Sequence, residues 1–579
     1  MGEFIPYPAI GRHGVVGDRR TAALVAADGT ADWLCLPDYD SAPFFSALLD
    51  APAGGFWRLG PARLRQGRQR YEGDTAVLTT EWQIDGGRLE LTDAMLWPED
   101  QRTNGRDGER VLLRRLRCHG GSVDCVSSLR PSPEAAARPQ VWFAGALAGT
   151  RDERRFVLAN GEELWAVLAT SREEWTPARC RQSLDEVLAY WRDFAGRLRC
   201  AGPRRAQEAR AGITIHLLAY APDGSVVAAP TSSLPERVGG SWNADYRLSW
   251  VRDASLSVGA LAKLGDLASA QRFLGWLERR SDPATLAAPL FTIHGERAAP
   301  VHRLEALSGY RSSRPVVFGN HAYAQRQIGS IGFLADCAWT YVRLGGSWNE
   351  TDWRFVRVAA NHVAATWSEP DNSLWELSRR GQYVSSRVMS WVALDRASKL
   401  ARRCGDTSRL KVWSSVMDAI HAEVASRGWS ARLGAFRQRY DEDNLDAAAL
   451  LIPIMGFLPY DDPRVVRTIE RIADHLTIDE LTYRFEPERV PALSDEDPMG
   501  SFEGAFLPCT CWLATAYVGL GRDPAAERIL ARVDEVAGGT GLLAEAVDPR
   551  DGTFLGNMPL LFSHSEYLRA VHALRHHDD

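Results

Sequence analysis

The chain has 579 residues, with 68 Lys and Arg against 74 Asp and Glu for a net charge of −6, and is 45% hydrophobic and 25% charged. This is ordinary globular composition, which excludes disordered, collagenous and fibrous classes, and at roughly 150 residues per unit it predicts about two to four domains. The slight acidity offers no basic footprint for nucleic acid or an anionic membrane surface.

The start, Met1-Gly2-Glu3-Phe4-Ile5-Pro6-Tyr7, has no basic region leading into an apolar one. No window approaches roughly 18 uninterrupted apolar residues, so a soluble, cytoplasmic protein is expected. Nine cysteines are scattered without a C-x-x-C pair, Cys509 and Cys511 being closest. They read as reduced thiols, with neither a disulfide framework nor a zinc site. The thirteen histidines show no ligand spacing, and neither a metal nor a cofactor is expected. Nothing in the sequence sets an oligomeric state. One count stands out: 20 Trp, more than either Tyr or Phe, a ring suited to core filling and to stacking on flat apolar faces.

In chain order, residues 77–84 and 88–92 are β-rich runs around Asp85-Gly86-Gly87, a hairpin signature. Short strands follow at 111–113, 123–126 and 140–143, spaced as in an all-β sandwich. The basic run Arg114-Arg115-Leu116-Arg117 reads as a solvated strand face. A helix over 183–199 and Ala201-Gly202-Pro203 mark a linker. Beyond it the apolar period changes to three and four, predicting helices over 254–280, 386–403, 409–427 and 511–520. Asp523-Pro524 places a cap and a first-turn proline before a helix facing inward through Ile529, Leu530, Val533 and Val536. The fold class is all-β plus all-α, with a β-sandwich at 1–182, a helical linker at 183–208 and a helical domain at 209–579.

Three segments between helices are too rich in Trp, Arg and carboxylate for ordinary connections. They are residues 241–253, containing Tyr246, Arg252 and Asp253; Asp371-Asn372-Ser373-Leu374-Trp375-Glu376; and Gly500-Ser501-Phe502-Glu503-Gly504-Ala505-Phe506. Cleaving a glycosidic bond needs a carboxylic acid to protonate the leaving oxygen. For inversion it also needs a second carboxylate, roughly 6.5–9.5 Å away, to activate water. Glu376 and Glu503, each near aromatic residues that would raise its pKa, are candidates. A chain with 74 acidic residues offers many such pairs, and spacing alone does not choose among them.

A set of strings then resembles one family in order and along nearly the whole chain. They are residues 14–25 with Asp32-Trp33-Leu34-Cys35-Leu36-Pro37, residues 228–236, His294-Gly295-Glu296-Arg297 and Ser313-Arg314-Pro315-Val316. Residues 391–396, Gly456-Phe457-Leu458-Pro459 and Phe562-Ser563-His564 complete the series. The chain resembles glycoside hydrolase family 15, the bacterial glucoamylases with a trehalase-like N-terminal domain. The resemblance implies a β-sandwich followed by an (α/α)6 barrel, and an exo-acting, inverting hydrolase releasing β-glucose from the non-reducing end of a short α-glucoside. It implies Glu376 as general acid and Glu503 as general base. Arg252 and Asp253 would then bind the outer hydroxyls of the terminal sugar and Trp375 would wall it. Tyr246 and Arg314 complete the expected substrate-binding set, whereas Trp250 reads as core. The partner is a small α-glucoside or oligosaccharide, trehalose among the first to test.

The sequence departs from the family pattern near these segments. Ala244 stands where a Trp is usual, Leu377-Ser378-Arg379-Arg380 replaces Val-Arg-Gly-Gly, and Val317 replaces an Arg. Gly329, Phe333 and Phe502 stand at positions of carboxylates. Altered recognition of the leaving group or an outer subsite is the expected consequence. Two other readings compete: a phosphorylase on a similar barrel, which needs no base and is argued against by Glu503, and a barrel without catalysis that binds sugar or serves biosynthesis, kept open by Ala244.

Overall fold

Strands account for the chain as far as Ala169 and helices dominate beyond it. The computed structural model describes residues 3–84, 87–96, 108–145, 153–280, 282, 285–486 and 503–576.

Two antiparallel sheets form the N-terminal part. The first has the order β1 (His13–Gly17), β2 (Ala22–Ala26), β3 (Thr30–Cys35), β5 (Phe56–Pro61), β10 (Ser122–Arg130) and β12 (Glu153–Ala159), with β4 (Pro43–Phe45) beside β3. The second runs β11 (Gln140–Gly145), β13 (Glu163–Ala169), β9 (Val111–His119), β8 (Gly87–Met95), β7 (Leu78–Ile84) and β6 (Arg68–Tyr71). The expected hairpin is β7 on β8, with Thr79 opposite Thr92 and Ile84 opposite Gly87; its turn residues Asp85 and Gly86 lie outside the described residues. Trp33, Trp57, Trp82 and Trp165 are fully buried here, so much of the Trp excess fills the core.

The basic run on β9 corrects the sequence reading. Arg114 is wholly buried and ties the two sheets together: Nε donates to Asp93 at 2.7 Å, and the terminal nitrogens donate to the carbonyls of Trp57 at 2.6 Å and Gly29 at 2.8 Å. The alternation that makes Leu113 and Leu116 buried does not exclude Arg114, because a guanidinium with a carboxylate and two carbonyls has its donors satisfied. Only Arg117 of the run is exposed.

Helix α1 (Pro177–Arg197) starts earlier than expected and spans the 182/183 position. The signal is Thr176-Pro177: the Thr176 hydroxyl caps by accepting from the Arg179 amide at 3.3 Å, and proline fits the first turn. α2 is Arg205–Leu218. The stretch 254–280, expected as one helix, is two, α3 (Val251–Lys263) and α4 (Leu267–Arg280), broken where Gly265 takes φ 102°. There follow α5 (Ser330–Arg343), α6 (Glu350–Thr366), α7 (Val384–Cys404) and α8 (Leu410–Glu423). The last are α9 (Leu451–Ile454), which extends a 3₁₀ turn from Ala447, α10 (Pro463–Leu476), α11 (Leu507–Gly519), α12 (Asp523–Ala537) and α13 (Leu561–Arg575). Asp523 is the first residue of α12, not its cap.

Helices α3, α5, α7, α9, α11 and α13 pack each on the next, and α13 returns to α3, closing an inner ring. α2, α4, α6, α8, α10 and α12 lie outside it, which makes an (α/α)6 barrel. α11 is buried along nearly its whole length, which explains a sequence apolar on every face. Among the described residues, no helix is long and apolar enough to cross a membrane, and no group of three His, Cys, Asp or Glu is placed to hold a metal ion.

Candidate active site

Segments leading into the N-termini of inner helices converge on a cavity of about 380 Å³. Its floor is set by the start of α3, where Arg252 is 8% exposed and lines the cavity. The Arg252 Nε donates to Asp253 at 2.5 Å, and its guanidinium also donates to the Leu374 carbonyl. A terminal nitrogen sits 3.8 Å from Glu376 Oε1. Asp253 is buried behind Arg252 and holds it; it is not among the lining residues.

Glu376 stands on a loop fixed from both ends. Asp371 and Gly381 exchange backbone hydrogen bonds at 3.1 and 2.8 Å, and Asn372 exchanges two with Leu377, backbone to backbone and side chain to backbone, both at 2.9 Å. The Asp371 carboxylate accepts from the Ile328 and Ser373 amides and the Ser386 hydroxyl, anchoring the loop to the starts of α5 and α7. This anchoring holds Ser373 and Glu376 in the left-handed region, at φ 64° and 62°, a strain costing about 1–3 kcal/mol each for non-glycine residues. The result aims Glu376 at the cavity with Oε1 accepting from Trp250 Nε1–H at 2.6 Å. Burial raises its pKa above the usual carboxylate range, against the pull of Arg252 and the Trp250 hydrogen bond. Trp250 is buried in a small core cluster, as expected, and also orients this carboxylate. Trp375, 3% exposed, lines the cavity with its indole N–H donated to Asp446 at 2.8 Å.

The second expected carboxylate, Glu503, does not line this cavity. Glu503 is 3% exposed, and both of its oxygens accept from Arg484. A carboxylate clamped in this way has its lone pairs occupied by a permanent cation. Arg484 does line the cavity, and it packs against the Phe506 ring at 5.0 Å and pairs with Glu236 at 2.6 Å. Glu545 also lines the cavity. It precedes a short strand, Ala546–Val547, paired with Ala505–Phe506, and one of its oxygens accepts from the Tyr246 hydroxyl. Glu545 is 2% exposed, and burial, then the nearby Glu236 charge, raise its pKa well above the ordinary range. Glu236 is raised to about 7 by burial, with the Glu503 and Glu376 charges adding to the rise. The signal in the sequence was Leu542-Leu543-Ala544-Glu545-Ala546-Val547, a lone carboxylate in an apolar run.

Of the expected binding residues, the fold brings Tyr246, Arg252 and Trp375 to the cavity with Glu376. Arg314 is exposed and does not line it, although the next residue, Pro315, does. Among the departures, Ala244 lines the cavity. Val317 is buried against the Ser232–Ser233 hydroxyls, and Gly329 and Phe333 border a small void beneath Arg252. Leu377 is buried while Ser378, Arg379 and Arg380 are exposed. Phe502 lies outside the described residues.

A ring of paired helices around a cavity lined by carboxylic groups, arginines and an indole fits a glycoside hydrolase. Residues 208–524 match the model of glycosyl hydrolases family 15, and residues 5–151 match the trehalase-like N-terminal model. The chain belongs to family 15 and is an α-glucoside hydrolase. It is 33% identical to a trehalase of Mycolicibacterium smegmatis, over 98% of this chain and 92% of that one. It is 30% identical to a trehalase of Thermoplasma volcanium, over 98% and 93%. A bacterial glucoamylase solved in complex with acarbose shares the fold, with a TM-score of 0.67 at 12% identity over 99% of this chain and 95% of that one.

Proposed function

We propose that this chain is an inverting, exo-acting hydrolase of short α-glucosides, α,α-trehalose first among them, with Glu376 as general acid and Glu545 as general base. One observation carries the reading: two carboxylic groups, half-buried Glu376 and buried Glu545, each held by its own aromatic donor, Trp250 and Tyr246, line the cavity beside Arg252. A raised pKa keeps the proton on Glu376 until the glycosidic oxygen takes it. As that C1–O bond breaks, water attacks C1 from the opposite face and gives its proton to Glu545, so β-glucose and the freed sugar leave with Glu376 ionised and Glu545 protonated. Arg252 donates to outer hydroxyls of the bound glucose, and Trp375 covers an apolar face.

Trehalose is supported by the relatives named trehalases, which this chain matches along nearly its whole length. A cytoplasmic setting is supported by nine cysteines, none of them in a disulfide. The argument against a phosphorylase passes from Glu503 to Glu545, the carboxylate that meets the cavity.

The test is a panel of trehalose, maltose and isomaltose, scored by NMR for the anomer of glucose first released, with three variants alongside. From trehalose the wild type is expected to release equal amounts of β-glucose, the inverted unit, and α-glucose, the leaving unit. Glu376→Gln and Glu545→Gln are expected to lose about 10²–10⁴-fold in kcat, and Glu503→Gln markedly less. First release of α-glucose alone from trehalose, without an equal amount of β-glucose, would overturn inversion, and a Glu545→Gln variant outperforming Glu503→Gln would return the base to Glu503.

A further inference from the structure

The chemistry above leaves three polar groups on one wall of the cavity without a task. All belong to the hairpin of β14 (Ser232–Pro235) and β15 (Asn243–Asp245) or to the turn that joins them. Trp242 and Asn243 both line the cavity, yet the Trp242 indole N–H and the Asn243 Oδ1 are buried and find no hydrogen-bond partner among the described residues. The amide is not reversible here: Asn243 Nδ2 donates to the carbonyls of Gly240 and Pro315, both at 3.2 Å, which leaves Oδ1 as the orphan. Glu236, on the same wall, engages Arg484 through Oε2. An orphaned donor beside an orphaned acceptor is what sugar hydroxyls satisfy, because each hydroxyl both donates and accepts.

The hairpin runs from the interior outward: Asn243 and Glu236 are 5% and 9% exposed, as buried as Arg252, and Trp242 is half-buried. Arg252 and Trp375, 8% and 3% exposed, lie at the floor where the glucose to be released is held. The hairpin turn is at the mouth, with Arg237, Val238, Gly239 and Ser241 exposed. A glucose seated over Arg252, with its glycosidic oxygen at Glu376, directs its leaving group toward that mouth. Ala244 lines this wall with a methyl group, leaving room for a ring beside it.

We propose that the β14–β15 hairpin is the leaving-group subsite, in which Glu236 and Asn243 Oδ1 accept from, and Trp242 Nε1–H donates to, the hydroxyls of one compact, neutral sugar. This rests on the acid–base reading of Glu376 and Glu545. It makes the enzyme selective for a disaccharide over glucosides whose leaving group carries no hydroxyls.

The experiment compares kcat/KM for the disaccharide of the panel that the wild type cleaves fastest with kcat/KM for α-glucosyl fluoride. Fluoride leaves with C1–F cleavage while water bonds to C1, so this substrate meets the floor and Glu545 but offers the hairpin nothing. In Trp242→Phe, which keeps a ring and removes the donor, and in Glu236→Gln, the ratio of the two constants is expected to fall at least 10-fold below that of the wild type. A ratio within 2-fold of the wild type in both variants would overturn the subsite while leaving the acid–base reading intact. Failure of the wild type to turn over either substrate would overturn that reading and the subsite with it.

Discussion

Glu376 is held by a loop that accepts left-handed backbone at two non-glycine residues so that one carboxylate meets the cavity and one indole N–H. Tyr246 does the corresponding work for Glu545 with less strain, through a hydroxyl donated across the cavity wall. That hydrogen bond stabilises the ionised form and pulls the Glu545 pKa down, against burial and the Glu236 charge. Tyr246→Phe is therefore expected to move the acidic limb of the kcat/KM profile to higher pH by about one pH unit, since a base of higher pKa is protonated over a wider acidic range. The alkaline limb, assigned to the proposed acid Glu376, should stay in place. A profile measured on trehalose or α-glucosyl fluoride checks this, and an unmoved acidic limb would detach Tyr246 from the base. These residues also show where sequence reading stops. Trp375-Glu376 and Arg252 are legible because each sits in its own local string of aromatic and charged residues, which the family resemblance then picks out. Glu545 is not, because the hydroxyl and the charge that shape it come from Tyr246 and Glu236, some 300 residues away along the chain. Glu503 had the aromatic neighbours, but its partner Arg484 was invisible to local pattern.

The inner helices must approach closely enough to bring their N-terminal loops to one cavity. α5 and α7 do so at Gly332, where an added Cβ would lie 2.2 Å from the Met389 carbonyl oxygen. Backbone cannot yield as a side-chain tip can, so Gly332→Ala is expected to cost about 1–3 kcal/mol. Denaturant unfolding measures it, and a loss below about 0.5 kcal/mol would show that the two helices can part without penalty. Helix content was legible from the three–four period of α7, whereas α11 is apolar on every face and buried throughout. α3 and α4 read as one helix because the apolar phase runs on across Gly265, and only the positive φ there reveals the break. α5 carries glycines through its first turn, Gly329-Ser330-Ile331-Gly332, which in sequence looks like a loop and in the fold is close packing against α7. Arg114 shows the converse, a charge whose place in the interior depends on partners from three other segments.

At the scale of the molecule the sandwich is a buttress for the hairpin. Arg247 forms a two-pronged pair with Asp245, both contacts at 2.8 Å, and donates to the Ser41 carbonyl of the sandwich at 2.9 Å. Trp33 donates to the Pro230 carbonyl at 2.8 Å just ahead of β14, and the Tyr39 hydroxyl donates to the Leu217 carbonyl at 2.5 Å at the end of α2. The segment that carries Glu236, Trp242 and Tyr246 is thereby fixed between the two parts of the chain, as a subsite built to sub-ångström tolerance requires.

Rigidity of this kind keeps several carboxylates buried together, and that has a thermodynamic consequence. Glu545 has a folded-state pKa well above its ordinary 4.5, through burial first and the Glu236 charge second. Between those two values the folded protein binds the proton and the unfolded chain has lost it, so folding stability is fully present below about pH 4.5 and is lost as pH rises through the folded pKa. Buried His564, lowered from 6.5 to about 3 by burial and the Arg210 charge, acts in the opposite sense: its contribution is present above about pH 6.5 and is lost as pH falls toward 3. Removing the charge at Glu545 takes away that residue's share of the first effect and leaves the second in place. Glu545→Gln, which keeps an acceptor for Tyr246, is therefore expected to melt at a higher temperature than the wild type at pH 8. The difference should shrink steadily toward pH 5, while activity is lost throughout. Thermal unfolding of both proteins across that range decides the matter. A variant less stable than the wild type at pH 8, or a difference that does not change with pH, would mean that the cavity holds Glu545 ionised without cost and that its neighbours, not its burial, govern its proton.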